Sequence, residues 1–181
     1  MDFMETSFDG LFLIKPKVFR DTRGFFLEFY SQRPFAERGI DFTFVQDNHS
    51  LSATAGVVRG LHFQNPPHAQ AKLIRVTRGA AYDVVVDLRK NTPTFGKWEG
   101  FELTEDNFHM LFIPRGFAHG FCTLADNTEL MYKNDNFYTP SAERGIRWDD
   151  PTLGIVWPVK KPVLSERDRR LPLFAELDSP F

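Results

Sequence analysis

From residue 42 onward the chain is a succession of short β-prone runs, at 42–49, 57–63, 72–78, 82–88, 97–103, 109–113, 119–124 and 128–137. Ala-Gly, Pro-Pro, Arg-Gly, Asn-Thr-Pro, Glu-Asp-Asn, Pro-Arg-Gly and Ala-Asp-Asn turns separate them. β-Branched and aromatic residues suit a pleated, half-buried surface, whereas glycine, proline and asparagine interrupt it. Strands this short and this regularly spaced, with few helical stretches among them, predict an all-β sandwich or barrel.

The flanks are less regular. The apolar stretch 10–18 carries Pro16, which predicts an edge strand or a strand end there. Asp21-Thr22-Arg23-Gly24 reads as a turn leading into a strand over 25–30, so a hairpin is expected. Ser31 is placed to cap a short helix over 32–38, with Gly39 as its left-handed stop. In the tail, Asp149-Asp150-Pro151 and Trp157-Pro158 predict irregular structure, and Ser165-Glu166-Arg167-Asp168 has capping-box spacing before a short helix ending near Leu171-Pro172. At 181 residues, with no linker-like segment, residues 1–181 read as one domain whose tail, from about 140, packs on the barrel.

Composition narrows the partners. Lys plus Arg total 22 against 24 Asp plus Glu, and no basic run forms a stripe for a phosphate backbone, so no nucleic acid is expected. No apolar run approaches the ~20 residues that span a bilayer, and the acidic N-terminus lacks the form of a signal peptide. The single Cys122 leaves no internal disulfide and suits a reducing compartment. These features together read as a cytoplasmic protein without membrane contact. Twenty phenylalanines exceed what a small monomeric core needs and leave apolar surface for a partner subunit.

Chemistry concentrates in 57–72, VVRGLHFQNPPHAQAK, where Arg59, His62, Gln64 and Lys72 sit among apolar residues. In a regular strand Arg59 and His62 would face opposite ways. A bulge at Gly60 would let both line one cavity. Pro114 to His119 has the form PxGxxH, the second signature of cupin barrels, whose first signature supplies HxH and a glutamate. Here the matching segment is His62-Phe63-Gln64, with Lys72 at the end of the run. Imidazoles, an amide and an ammonium make a poor divalent-metal site. The reading is therefore a cupin-like jelly-roll barrel with short peripheral helices, no metal and no cofactor.

What remains is a cavity holding Arg59, His62, Lys72 and His119. Histidine, with an unperturbed pKa of about 6.5, can act as a base near neutral pH, and a neighbouring cation can hold an oxyanion. Together they describe proton abstraction beside a carbonyl. Inversion of the centre then needs a second proton carrier on the other face, and Tyr132 is the candidate, on a strand whose alternation groups Leu130, Tyr132 and Asn134. Tyr132 could equally be a core aromatic and Lys72 a solvated strand-edge lysine. By sequence alone Asp168 reads as a helix-cap residue and Arg23 with Glu28 as a surface pair. His49, His68 and His109 read as structural, and Cys122 as a small buried hydrophobe.

Longer motifs then carry a resemblance. VQDNHS (45–50), VVRGLHFQ (57–64), AKLIRVTRG (71–79), DVVVDLRKNTPTFGKW (83–98), IPRGFAHGF (113–121), LMYKNDNFY (130–138), RGIRWDDPTLGIVWP (144–158) and LSERD (164–168) resemble the dTDP-4-dehydrorhamnose 3,5-epimerases over roughly residues 10–170. The resemblance implies a jelly-roll homodimer that uses no cofactor and epimerises dTDP-4-dehydro-6-deoxy-D-glucose at C3 and C5, toward dTDP-L-rhamnose and bacterial surface polysaccharide. It implies His62 as base, Asp168 as the carboxylate paired with it, Tyr132 as acid on the opposite face and Lys72 beside the C4 oxygen. Arg59, Gln46 and Asn48 fall on diphosphate and sugar contacts, His119 on a cavity histidine and Tyr138 on a nucleotide contact. Arg23, Phe26 and Glu28 fall on positions that reach the thymidine of the neighbouring subunit. Phe63 and Phe137 stand where the family commonly has tyrosine, and His68 where it often has an aromatic. Single-centre epimerisation, ketoisomerisation and a non-enzymatic carbohydrate-binding barrel are the alternatives.

Overall fold

The computed structural model describes residues 1–181. In chain order its strands are β1 (Asp2–Glu5), β2 (Phe12–Lys15), β3 (Val18–Asp21), β4 (Gly24–Leu27), β5 (Gln46–Ser52), β6 (Val58–Gln64) and β7 (Lys72–Arg78). There follow β8 (Ala80–Asp87), β9 (Trp98–Thr104), β10 (Met110–Ile113), β11 (Phe117–Thr123), β12 (Thr128–Asn134) and β13 (Glu143–Gly145). Two short helices, α1 (Gln32–Ala36) and α2 (Glu166–Arg169), lie outside them. A six-stranded sheet in the order β1-β2-β10-β7-β12-β5 faces a five-stranded one in the order β13-β6-β11-β8-β9. Every pairing between these strands is antiparallel. This is the all-β, cupin-like jelly roll with short peripheral helices that the strand spacing and the PxGxxH segment predict.

Three apolar layers explain the burial pattern. Between the sheets, Ile74, Val76, Val85, Leu103, Leu111, Ile113, Phe121 and Leu130 form the barrel core. Behind the five-stranded sheet, Leu61, Phe63, Val84 and Val86 meet Trp148, Trp157, Phe174 and Phe181 of the tail. Behind the six-stranded sheet, Ile14, Leu73 and Phe112 are covered by Phe35 of α1 and by Ile40. Strand β8 is thus buried along most of both faces, which is why its sequence, AAYDVVVD, shows no regular alternation of apolar and polar residues. Each fully buried aliphatic or aromatic side chain contributes about 1.5–3 kcal/mol relative to exposure.

Several local expectations need correction. The acidic N-terminus forms β1, which pairs with β2 from Asp2↔Lys15 to Glu5↔Phe12. Strand β2 therefore ends before Pro16 but is internal to its sheet. The run expected at 42–49 begins as a strand only at Gln46. The Thr22-Arg23 turn joins β3 to β4 in a two-stranded sheet of its own, shorter than the 25–30 strand expected. Ser31 stands at the start of α1 without a side-chain capping bond, and the helix ends at Ala36, ahead of Gly39, whose φ is +77°. Lys72 lies on β7, inside its sheet between β10 and β12, so it is no strand-edge lysine.

Candidate active site

The apolar filling between the sheets gives way to polar side chains at one end of the barrel. Alternation on β6 turns Leu61 and Phe63 outward into the layer under the tail, and His62 and Gln64 inward. On β7, Ile74 and Val76 face the core, and Lys72, two residues earlier, faces the same way at its polar end. On β12 the sequence Leu130, Tyr132, Asn134 takes the same inward face. Strand β11 brings His119 directly opposite His62, and its pairing with β6 slips between His119 and Phe121. Gly60 sits at that irregularity with φ +121°. Arg59 and His62 consequently line the same cavity, as a bulge at Gly60 predicts.

That cavity has two lobes that share His62, Lys72 and Tyr132. One, of about 330 Å³, is lined by Gln46, Asn48, Gln64, Asn134, Tyr138 and Glu143 among others. The other, of about 630 Å³, runs past Arg59, His119 and Phe121 to Arg167 and Asp168. Of the four buried side-chain polar atoms that lack a partner, three belong to residues lining this cavity, Asn48 Nδ2, Ser50 Oγ and Asn134 Oδ1, and the fourth is Asp83 Oδ1, on the residue bonded to His119. Burying such atoms unpaired is costly, and a polar ligand would offset the cost.

His62 Nε2 lies 2.6 Å from Asp168 Oδ1, and the Asp168 side chain is almost wholly buried. Asp168 meets the two partners through different atoms. Its backbone N–H donates to Ser165 Oγ at 3.0 Å, so Ser165 caps α2, while the carboxylate is left free to meet His62. Burial acts to raise the Asp168 pKa, but the bond with His62, the His62 charge, the Ser165 hydroxyl and the Gly60 amide bring it below the ordinary carboxylate value. With Nε2 held by Asp168, Nδ1 is the ring nitrogen left to accept a proton.

The other groups are tuned mainly by burial. Desolvation pushes Lys72 down, against the attraction of Asp83 and Glu143. It pushes the Tyr132 phenol up, with Arg59 opposing and Glu143 adding. His119 is pushed down by burial and by the Lys72 and His62 charges, although Asp83 Oδ2 lies 2.9 Å from its Nε2. Burial acts upward on Glu143, yet Tyr138 Oη at 2.5 Å and Arg167 Nη2 at 2.7 Å hold it below the usual range. Gln46 accepts the Tyr138 N–H at 2.9 Å and donates to Asn48 Oδ1 at 3.1 Å. Arg59 is steadied by Ser52 Oγ and the Leu51 carbonyl, each 3.3 Å away.

The structure therefore gathers His62, Lys72, Tyr132, Asp168, Arg59, His119, Gln46, Asn48 and Tyr138 around one cavity. Arg23, Phe26 and Glu28 do not line it. Arg23 is 88% exposed on the β3–β4 hairpin and pairs with Asp21 rather than Glu28, and Phe26 is 69% exposed. Sequence reasoning missed Asp83, Glu143 and Arg167. An acid inside the apolar run Asp83-Val84-Val85-Val86 was a usable signal for the first. Glu143 carried none, because only the pairing of β13 with β6 sets it opposite Gln64. No three His, Cys, Asp or Glu side chains cluster in a way that could hold a metal ion.

Comparison with known proteins places this geometry in context. The sequence matches the family described as "dTDP-4-dehydrorhamnose 3,5-epimerase" over residues 5–176. It is 49% identical over 179 residues to the dTDP-4-dehydrorhamnose 3,5-epimerase of Shigella flexneri, covering 98% of each chain. Its fold superposes with a TM-score of 0.93 on the dTDP-4-dehydrorhamnose 3,5-epimerase of Bacillus anthracis, solved with TDP and PPi bound, at 51% identity over 95% of this chain and 98% of that one. A 3,5-epimerase from Legionella pneumophila, in complex with dTDP-4-keto-L-rhamnose, gives 0.93 at 41% identity, over 98% and 94% of the two chains.

Proposed function

The chain belongs to the dTDP-4-dehydrorhamnose 3,5-epimerase family, whose members are isomerases acting on carbohydrates, and from that premise we propose that it inverts C3 and C5 of dTDP-4-dehydro-6-deoxy-D-glucose by proton transfer through an enolate. One observation carries the reading. His62, backed by the buried Asp168, comes from the five-stranded sheet, and Tyr132 comes from the six-stranded sheet across the same cavity. A sugar ring lying between the sheets meets a base on one face and a hydroxyl on the other.

The C4 ketone acidifies the hydrogens on both neighbouring carbons. His62 takes one of them, and the electron pair moves onto the C4 oxygen, where the Lys72 ammonium stabilises it. Tyr132 returns a proton to the carbon from the opposite face, and the configuration inverts. His62 then holds one proton more and Tyr132 one fewer, and exchange with solvent resets both. Asp168 keeps the His62 ring oriented and stabilises the imidazolium that forms. The substrate's own ketone is the electron sink, so the chemistry needs no cofactor. Each proton carrier contributes about 10²- to 10⁴-fold.

Arg59, Gln46, Asn48, His119 and Tyr138 are assigned to substrate binding, with Arg59 the cation for the diphosphate. Arg23, Phe26 and Glu28 are assigned to the thymidine of a neighbouring subunit in a homodimer. In support, the β3–β4 hairpin forms a sheet of its own and leaves Phe19, Phe25 and Phe26 exposed. We read residues 1–181 as one catalytic domain working in the cytoplasm; no helix is long and apolar enough to cross a membrane. The test is NMR of the substrate in D₂O, with His62→Ala alongside. Deuterium should enter at C3 and C5 with wild type and at neither with the variant, which should still bind dTDP. Deuterium at one carbon only would refute the double inversion, and exchange that persists in His62→Ala would refute the base assignment.

A further inference from the structure

Asp83 stands on β8 with no solvent exposure, on the inward face it shares with Ala81 and Val85. Its β11 neighbour is Phe121, which pairs in turn with Arg59. Its one side-chain partner is the His119 imidazole, with Nε2 2.9 Å from Oδ2, and Oδ1 has no hydrogen bond at all. A buried carboxylate with an idle oxygen is costly unless its charge serves something. Lys72 reaches into the same interior from the facing sheet, and Asp83 and Glu143 are the two carboxylates that attract it. Glu143 is already bonded to Tyr138 and Arg167. Asp83 has no such competing cation.

We propose that Asp83 is a positioning residue of the epimerase, holding His119 with Nε2 protonated through one oxygen and keeping Lys72 an ammonium at the enolate oxygen through its charge. The assignment rests on the role given to Lys72 above. The charged and titratable groups that share the interior with Lys72 are Asp83 from β8, His119 from β11, His62 and Arg59 from β6, Glu143 from β13, Tyr132 from β12, Tyr138 beyond it, and Arg167 and Asp168 from α2. Desolvation already favours the neutral amine. Without the Asp83 charge, Lys72 loses its proton at lower pH, and the alkaline limb of activity moves down with it.

Asp83→Asn tests this, because it is isosteric, keeps an acceptor for His119 Nε2–H and removes only the charge. With folding verified by circular dichroism, kcat should fall about tenfold or more in the alkaline range and the alkaline limb should move down by about one pH unit, a tenfold change in the protonation equilibrium. KM should stay within about twofold, and in a Lys72→Met background the same substitution should cost less than about threefold, as expected for groups that act together. A wild-type pH profile in Asp83→Asn overturns the proposal. So does an equal loss at every pH that persists in the Lys72→Met background, which would mark a structural role. If Asp83→Asn does not fold, ¹⁵N-lysine NMR of the wild-type protein decides: an ammonium at Lys72 at neutral pH supports the proposal and an amine overturns it. Failure of the wild type to exchange substrate hydrogens would instead sink the epimerase reading.

Discussion

Replacing Gly60 with alanine strikes the point where the fold and the site depend on the same backbone. The φ of +121° suits glycine, and holding an L-residue there costs about 1–3 kcal/mol. The added Cβ would also lie 2.6 Å from Gly120 Cα and 2.8 Å from the His119 carbonyl oxygen. Both are backbone atoms of the neighbouring strand, which cannot swing aside as a side-chain tip can. Overpacking of this kind costs about 1–3 kcal/mol more. A destabilisation near the middle of the sum, about 4 kcal/mol, lowers Tm by about 8–16 °C in a chain of this length. The strand that must move carries His119 and pairs with His62, so kcat should fall by about 10²-fold, the loss expected of a misplacement of about 1 Å. Gly39→Ala is the control, since Gly39 has φ +77° but open space at its Cβ, and it should cost only about 1 kcal/mol. Thermal melts and the deuterium-exchange assay read both effects. A Gly60→Ala protein that melts within about 2 °C of wild type and turns over normally would refute the reasoning.

Tyr132→Phe should separate the two half-reactions: His62 can still remove and return a proton on its own face, so NMR in D₂O should find exchange persisting while inverted product falls about 10²- to 10⁴-fold. Arg89→Ala should destabilise the protein by about 2–3 kcal/mol in urea melts, below the full cost of about 3–5 kcal/mol for a broken buried pair, because Thr94 at 2.6 Å and Thr92 at 3.2 Å still serve the fully buried Asp87. Asp87 and Asp168 both have folded pKa values below the ordinary 3.8; burial opposes this, but their hydrogen bonds and neighbouring cations outweigh it. Their contribution is therefore present above the unfolded value and is lost as pH falls through the folded ones, so urea midpoints should hold to about pH 4 and decline below it, beginning at higher pH in Arg89→Ala.

Much of the architecture is written locally. The β-prone runs at 72–78 and 128–137, the hairpin turn at Asp21 to Gly24 and the Ser165 cap are each settled by residues a few positions apart, through propensity and turn chemistry, and all are present in the fold, the second run ending as a strand at Asn134. The chemistry of 57–72 is equally visible, because an arginine, a histidine and a lysine on apolar strands need a reason to be there. What the sequence by itself could not decide is which strands lie side by side. Strand β6 lies beside β11, and β7 beside β12 in the other sheet, so His62 and Tyr132 approach from opposing walls although they are far apart in the chain. The Asp168 carboxylate reaches His62 across 106 residues, while its own backbone does the local work at the helix start. Asp83 and Glu143 read as an acid in a strand and an acid in a tail until β8 and β13 are paired. Each strand's preference arises within its own few residues, whereas strand order is a property of long-range pairing and burial, and the site is made between strands.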